Sequence, residues 1–289
     1  MLNYFRVSLK LRNESVRKDE IMNMYDAIFV RKSVKRFTME EVEPSVLAGI
    51  NNFANELPLF MEDAPIASLI VNNLENERAY SKYFSVKAPY YFVVGCKKGV
   101  DTYINAGYMI QQIILYMTAR GLGTCYLTHI NSKPSDPFVM DLPVDPNGDG
   151  QIETTQPVIA IAFGHTKDII YQDSRKLHRL PEREVVLYKT EVSNDLKLML
   201  KAARMAPSHM NTQPWRLVAS DNRIHVFCKK SIINKEFNNK HKLIDIGVMS
   251  ANMMLFADEL WIDVQIEKSE NISNKYFENN DYMYTISVG

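Results

Sequence analysis

One short pattern occurs twice in this chain, and the repeat limits the possible folds more than any other feature. Ile104-Asn105-Ala106-Gly107-Tyr108-Met109 leads into an apolar run of helical length. Ile244-Asp245-Ile246-Gly247-Val248-Met249 leads into another, 140 positions later. Leu47 to Pro58 parallels Leu196 to Pro207, each a helix-like stretch stopped by proline. Val158 to Gly164 closes the first half as Tyr284 to Gly289 closes the chain. Three matches in one order point to a duplication; chance likeness of two αβ halves is the competing explanation. The expected division is 22–164, a connecting segment 165–190, and 191–289.

The local signals are mixed α and β. A helix is expected from Met22 toward Val30, and Pro44 reads as a first-turn proline opening another toward Leu57. Strand-like runs cover Ser68–Val71, Tyr90–Cys96 and Val158–Phe163. Ile104 to Ala119 is apolar on most sides and reads as a buried helix, ended by Gly121 and Gly123 before a strand at Thr124–Leu127. In the second half Ser193 can cap a helix to Met205. Trp215–Ala219 and Arg223–Cys228 read as a hairpin over Ser220-Asp221-Asn222. A helix over Ile244–Ala257 and strands over Trp261–Ile266 and Tyr284–Val288 complete the set.

Composition excludes several classes. The 34 basic and 34 acidic residues cancel, which argues against a general nucleic-acid or membrane-surface binder. Hydrophobic residues make up 46% of the chain, enough for a large core, yet no run approaches the roughly 20 apolar residues of a membrane span. Charges at Arg17, Lys18, Asp19 and Glu20 leave no long apolar core for a signal peptide. Cys96, Cys125 and Cys228 lie far apart in apolar runs, as reduced core residues of a cytoplasmic protein do.

Two segments carry chemistry. Ala206-Pro207-Ser208-His209-Met210-Asn211-Thr212-Gln213-Pro214-Trp215 sets short polar heads between two prolines that fix φ. It reads either as a stiff ligand-holding loop or as a helix end entering a hairpin. Arg31, Lys32, Lys35 and Arg36, with Ser33 between them, suit a dianionic phosphate or else form a solvated basic helix end.

Together these segments resemble the nitroreductase family of FMN enzymes. That family opens on an Arg-Arg-Ser-x-Arg-x-Phe-like motif, here Arg31-Lys32-Ser33-Val34-Lys35-Arg36-Phe37. It carries Ala-Pro-Ser-x-x-Asn-x-Gln-Pro-Trp, here Ala206 to Trp215 with every motif position kept, and a helix ending in Gly-Leu-Gly-Thr, here Gly121 to Thr124. The resemblance spans roughly 22 to 289. In the usual order the Pro-Ser segment soon follows the basic motif, whereas here it comes after the Gly-Leu-Gly-Thr helix. Duplication accounts for this displacement.

The resemblance implies an α+β, nitroreductase-like fold of two tandem halves, each a mainly antiparallel sheet flanked by helices, arranged as a pseudo-dimer. Ordinary members are homodimers whose subunits share two FMN sites. Here the first half keeps the basic and glycine motifs, but offers only Leu57-Pro58-Leu59-Phe60-Met61 in place of the Pro-Ser segment. The second half keeps Pro207, Ser208 and Asn211, but has Asp258-Glu259-Leu260-Trp261 in place of Gly-Leu-Gly-Thr. One complete site and one dismantled site are expected, holding one FMN in a monomeric chain.

By the same resemblance, Arg31, Lys32 and Ser33 hold the flavin phosphate, with Arg179 from an Arg-Leu-Pro-like segment. Lys35 faces the N1/O2 edge, where a cation stabilises reduced flavin. Ser208 and Asn211 bond ribityl hydroxyls or the ring edge, and Pro207 packs beside it. No general acid or base is nominated. Thr128 and His129 stand where relatives often carry glycines, and His129 is either a proton donor or structural. The implied activity is an oxidoreductase that takes hydride from NAD(P)H onto FMN and reduces a nitroaromatic, quinone or similar small-molecule acceptor. A flavin-binding relative without turnover is the alternative. Asp145, Asn147, Asp149 and Gly150 imitate half of a calcium loop, but Gln156 stands where a bidentate Glu is needed, so a solvated turn is expected.

Overall fold

The computed structural model of the chain describes residues 22–75, 83–130, 140–141, 154–230, 235–269, 272 and 279–289. The calcium-like residues Asp145, Asn147 and Asp149 lie outside the described residues.

The fold is α+β, built on two sheets. The first half begins with helices α1 (Met24–Val30) and α2 (Pro44–Glu56). Asn23 caps α1 by accepting the Asp26 amide at 2.7 Å, and Pro44 opens α2. Strands β1 (Ile66–Asn72) and β2 (Tyr90–Cys96) follow, then helix α3 (Val100–Ala119) and strand β3 (Gly123–Leu127). After the short pair β4 (Met140–Asp141) and β5 (Thr154–Thr155), β6 (Pro157–Gly164) returns between β2 and β3. The sheet order is therefore β1-β2-β6-β3, antiparallel throughout.

The second half repeats this plan. Short helix α4 (Glu182–Val185) and strand β7 (Val186–Tyr188) precede helix α5 (Asn194–Met205). Ser193 caps α5 by accepting the Leu196 amide at 3.2 Å. The hairpin β8 (Trp215–Ser220) and β9 (Arg223–Lys229) leads to helix α6 (Lys235–Glu259), edge strand β10 (Val264–Glu267) and return strand β11 (Asn280–Val288). The order β8-β9-β11-β10 has the connectivity of β1-β2-β6-β3, with β7 added in parallel to β8.

Helices α3 and α6 pack against each other and against the inner faces of both sheets, so one apolar core runs through both halves. A smaller cluster, including Tyr91, Val93, Leu127 and Ala160, covers the outer face of the first sheet. Strand β2 is consequently buried on both faces, which is why Tyr90 to Val94 is an unbroken apolar run rather than an alternating one.

The two long helices end alike. Gly121 takes φ +79° and Trp261, 140 positions on, takes φ +55°. The Leu122 amide donates to the Met117 carbonyl at 3.1 Å, and the Ile262 amide to Ala257 at 3.0 Å. Both are left-handed helix terminations, one built on glycine and the other on an exposed tryptophan.

Some sequence expectations shift. Helix α6 starts at Lys235, nine residues before the expected Ile244, through a polar stretch. The strand expected from Trp261 starts at Val264, because Trp261 belongs to the helix-ending turn. Strand β7 was not anticipated: three residues are too few to show a period.

Candidate functional site

The basic motif leaves α1 and docks on the glycine motif. Ser33 forms a parallel bridge with Thr124, and the Val34 amide donates to the Thr124 carbonyl at 3.0 Å. The other edge of the motif lies along the connecting segment. The Lys32 amide donates to Ile170 at 2.8 Å, the Gln172 amide to Val30 at 2.7 Å, and Arg31 bridges Tyr171. These contacts bring residues far apart in sequence to one place.

Arg31 and Arg179 both belong to this place. The Arg31 guanidinium stands 5.6 Å from the centre of the Tyr126 ring and donates to Ser33 Oγ at 3.1 Å. Burial lowers its pKa from the ordinary guanidinium value. Burial, and then the nearby Arg31, pull the Arg179 guanidinium down to about 10. Among the described residues no carboxylate lies within ion-pair distance of either. Two half-buried, mutually repelling guanidiniums form a site that an anion would relieve. Arg36 is outside this group, since it is paired with Asp168 at 2.6 Å. Lys32 and Lys35 extend exposed side chains, and the Lys35 charge is felt by the Cys125 thiol.

The Pro207–Trp215 segment supplies the opposite wall. Its three-residue 3-10 turn, His209–Asn211, has left-handed backbone at Met210 (φ +50°) and Asn211 (φ +57°), and Gln213 (φ +46°) follows. Strain of this kind in non-glycine residues concentrates at functional sites. The turn is held from several sides. Ser208 Oγ accepts the Gln213 amide at 2.9 Å. The Leu180 amide donates to Gln213 Oε1 at 2.8 Å. Asn211 donates to the His178 carbonyl at 3.0 Å and accepts from Arg179 at 3.3 Å. Arg179 also donates to the Met205 carbonyl, at 3.0 Å, at the end of α5.

Behind this turn lies a cavity of about 50 Å³ lined by Tyr126, Thr128, Ile159, Pro207, Ser208, His209, Ile244, Asp245 and Val248. Its residues come from both halves. The His209 amide donates to Asp245 at 2.9 Å and 3.1 Å, and the His209 ring lies 3.1 Å from Thr128 Oγ1. The His209 and His241 rings stack at 4.3 Å. Burial lowers both histidines, His241 to about 4, so both are neutral at pH 7. From Tyr126 a buried polar chain runs inward. Its hydroxyl donates to Gln111, Gln111 donates to Asn252 at 2.6 Å, and Asn252 donates to the Ala202 carbonyl at 3.1 Å.

The structure thus gathers Arg31, Ser33, Arg179, Pro207, Ser208 and Asn211 around one region, while the Lys32 and Lys35 side chains point to solvent at its edge. His129 is exposed. Tyr126, Thr128, His209 and Asp245 were not expected as site residues. Asp245 carried a signal as the acid standing where the first copy of the repeat has Asn105; Thr128 stood at a position where relatives often carry glycine, and His209 lay within the Pro-Ser motif.

The fit to a phosphate-bearing flavin is good at one end. The paired guanidiniums, the Ser33 hydroxyl and Thr124 Oγ1, buried without a hydrogen-bond partner among the described residues, form a donor set for a phosphate. At the other end the cavity is far smaller than the ~300–1,000 Å³ of typical ligand pockets. Only the edge of a ring, or a small second ligand, enters it.

A family model described as "Putative TM nitroreductase" matches residues 23–257. A solved putative nitroreductase from Thermotoga maritima MSB8 is similar in fold at TM-score 0.60 and 18% identity, covering 93% of this chain and 95% of its own. A nitroreductase family protein from Clostridium difficile 630 aligns at TM-score 0.44 and 19% identity, over 59% of this chain and 100% of its own. A nitroreductase with bound FMN from Desulfitobacterium hafniense DCB-2 aligns at TM-score 0.35 and 16% identity, over 55% and 100%. No curated protein matches the chain. Among the described residues no helix is long and apolar enough to cross a membrane.

Proposed function

The chain belongs to the putative TM nitroreductase family, and on that premise we propose that it is an FMN-dependent oxidoreductase using NAD(P)H to reduce a small acceptor such as a nitroaromatic or quinone. The observation that carries this reading is the cation pair Arg31 and Arg179, which has no acidic partner among the described residues and lies beside the Ser33 hydroxyl and the strained Ser208 turn. Bound FMN would supply the two-electron chemistry, accepting hydride from the nicotinamide and passing it to the acceptor.

The residues of the chain bind and orient. Arg31 and Arg179 hold the phosphate with Ser33 and Lys32. Lys35 offers its charge to the ring edge. Pro207 and Ser208 shape the inner wall, and Asn211 ties the turn to the segment that carries Arg179. In this reading residues 22–164 and 191–289 are two related halves joined by 165–190. A single chain assembles one site and acts as a monomeric pseudo-dimer. The three cysteines are free and buried, in keeping with a cytoplasmic protein.

Asn211 and Ser208 already spend hydrogen bonds on their own turn, which favours a second reading: flavin binding without turnover. Visible absorbance of the purified protein, with molar mass by light scattering, tests the first step. One FMN per monomer supports the single site, and failure to take up FMN overturns it. Bleaching of the bound flavin by NADH or NADPH, then recovery on adding a quinone, separates turnover from binding alone.

A further inference from the structure

The repeat sets two side chains in equivalent positions with different chemistry. Asn105 is buried on α3 and holds the turn after α2. It accepts the Met61 amide at 2.8 Å and donates to the Met61 and Ala64 carbonyls, both at 2.8 Å. Asp245, 140 positions on, holds the turn after α5 by accepting the His209 amide. Asn105 uses both ends of its amide. Asp245 receives only that one N–H from the described residues, although it is 5% exposed. Holding a turn from this helix position therefore needs no acid. Yet the half that keeps the Pro-Ser segment carries one, at the wall of the cavity.

We propose that Asp245 is the proton donor to the acceptor molecule reduced at this site, an inference that rests on the flavin-site reading above. A quinone that took up hydride at this site would carry negative charge on an acceptor oxygen. The Asp245 O–H bond breaks as an O–H bond forms on that oxygen, and the carboxylate left behind regains a proton from water. The cavity has room for a water or for the oxygen-bearing end of a larger ligand.

The neighbours leave this role to Asp245. Burial raises its carboxyl well above the usual carboxylate range, which favours the protonated form. The titratable groups around it are His209 on the turn, His241 one turn earlier on α6, Tyr126 on β3 and Cys228 on β9. Burial disfavours the imidazolium form of both histidines, and it raises the Tyr126 hydroxyl and the Cys228 thiol above their ordinary values. Of the cations, Lys242, three residues earlier on α6, donates to the Lys229 and Lys230 carbonyls, and Arg31 stands across the Tyr126 ring.

Asp245→Asn tests the role, because Asn105 shows that an amide accepts the turn's N–H. FMN-loaded protein is reduced with dithionite and mixed rapidly with menadione, which takes up protons, or with ferricyanide, which takes up electrons alone. The variant is expected to bind FMN as wild type does and to be reoxidised by ferricyanide at the wild-type rate, but about a hundredfold more slowly by menadione. Equal slowing with both acceptors, or no slowing with menadione, overturns the proposal. Should the variant misfold, wild type decides: its menadione rate must fall through one ionisation as pH rises while its ferricyanide rate does not, and parallel profiles overturn it. Wild type that takes up no FMN overturns the flavin reading itself.

Discussion

Gly107 and Gly247 each lie against the backbone of the other's helix. A Cβ on Gly107 would stand 1.9 Å from the Ile244 carbonyl oxygen, and a Cβ on Gly247 would stand 1.9 Å from the Ile104 carbonyl oxygen. The contact is reciprocal, with partners 140 positions apart on both sides, as a two-fold relation between α3 and α6 requires. Neither oxygen can move aside as a flexible side chain could. Gly107→Ala and Gly247→Ala should each cost about 3 kcal/mol or more, since the helices must separate and open the core between them. Gly121→Ala meets nothing within 4 Å and pays only for its left-handed φ, about 1 kcal/mol. Chemical denaturation of the three variants checks the order; equal losses would remove the claim that α3 and α6 touch through their glycines.

Trp261 takes the position that Gly121 fills in the first half, at φ +55° and 95% exposed. A tryptophan there is strained, and among the described residues it packs against nothing that offsets the strain. Trp261→Gly should stabilise the fold by roughly 1 kcal/mol, raising Tm by a few degrees. A lower Tm would show that the indole has a partner that its exposure hides.

The cation pair should read phosphate. Replacing Arg31 or Arg179 by Ala should weaken FMN by about tenfold or more, the scale of a lost charge-assisted hydrogen bond, and leave riboflavin, which lacks the phosphate, nearly unchanged. Quenching of flavin fluorescence measures both. Equal losses for the two ligands would place the cations elsewhere than at the phosphate.

Acid should destabilise this protein through His241. Its folded pKa, about 4, lies below the ordinary 6.5, so the folded state prefers the neutral ring. That contribution is complete above pH 6.5 and is lost as pH falls toward 4; it amounts to roughly 3 kcal/mol at most. His241→Gln should flatten the Tm–pH curve in that window. A curve as steep as wild type's would assign the acid loss to other groups.

Much of the architecture was legible because it was written twice. The Ile-Asn/Asp-x-Gly pattern marked both long helices, and the prolines marked where α2 and α5 stop. What stayed hidden depends on distance. Arg36 looked like a phosphate ligand until Asp168, 132 positions away, paired with it. The left-handed backbone at Asn211 and Gln213 accompanies side-chain contacts to His178 and Leu180, more than thirty positions away. The parallel strand β7 rests on its pairing with β8, which no local period encodes. Asp245 differs from Asn105 by one atom type, and only the two hydrogen-bond environments give that difference meaning.

The peptide that carries Arg31 also carries Arg179 and the Ser208 turn. In an assembly of separate subunits such walls would drift apart on dilution, and occupancy would follow protein concentration. Here the walls stay at the high effective concentration set by their own tether. At a fixed free FMN concentration, flavin occupancy per mole of chain should therefore be the same in nanomolar and micromolar solutions of the protein.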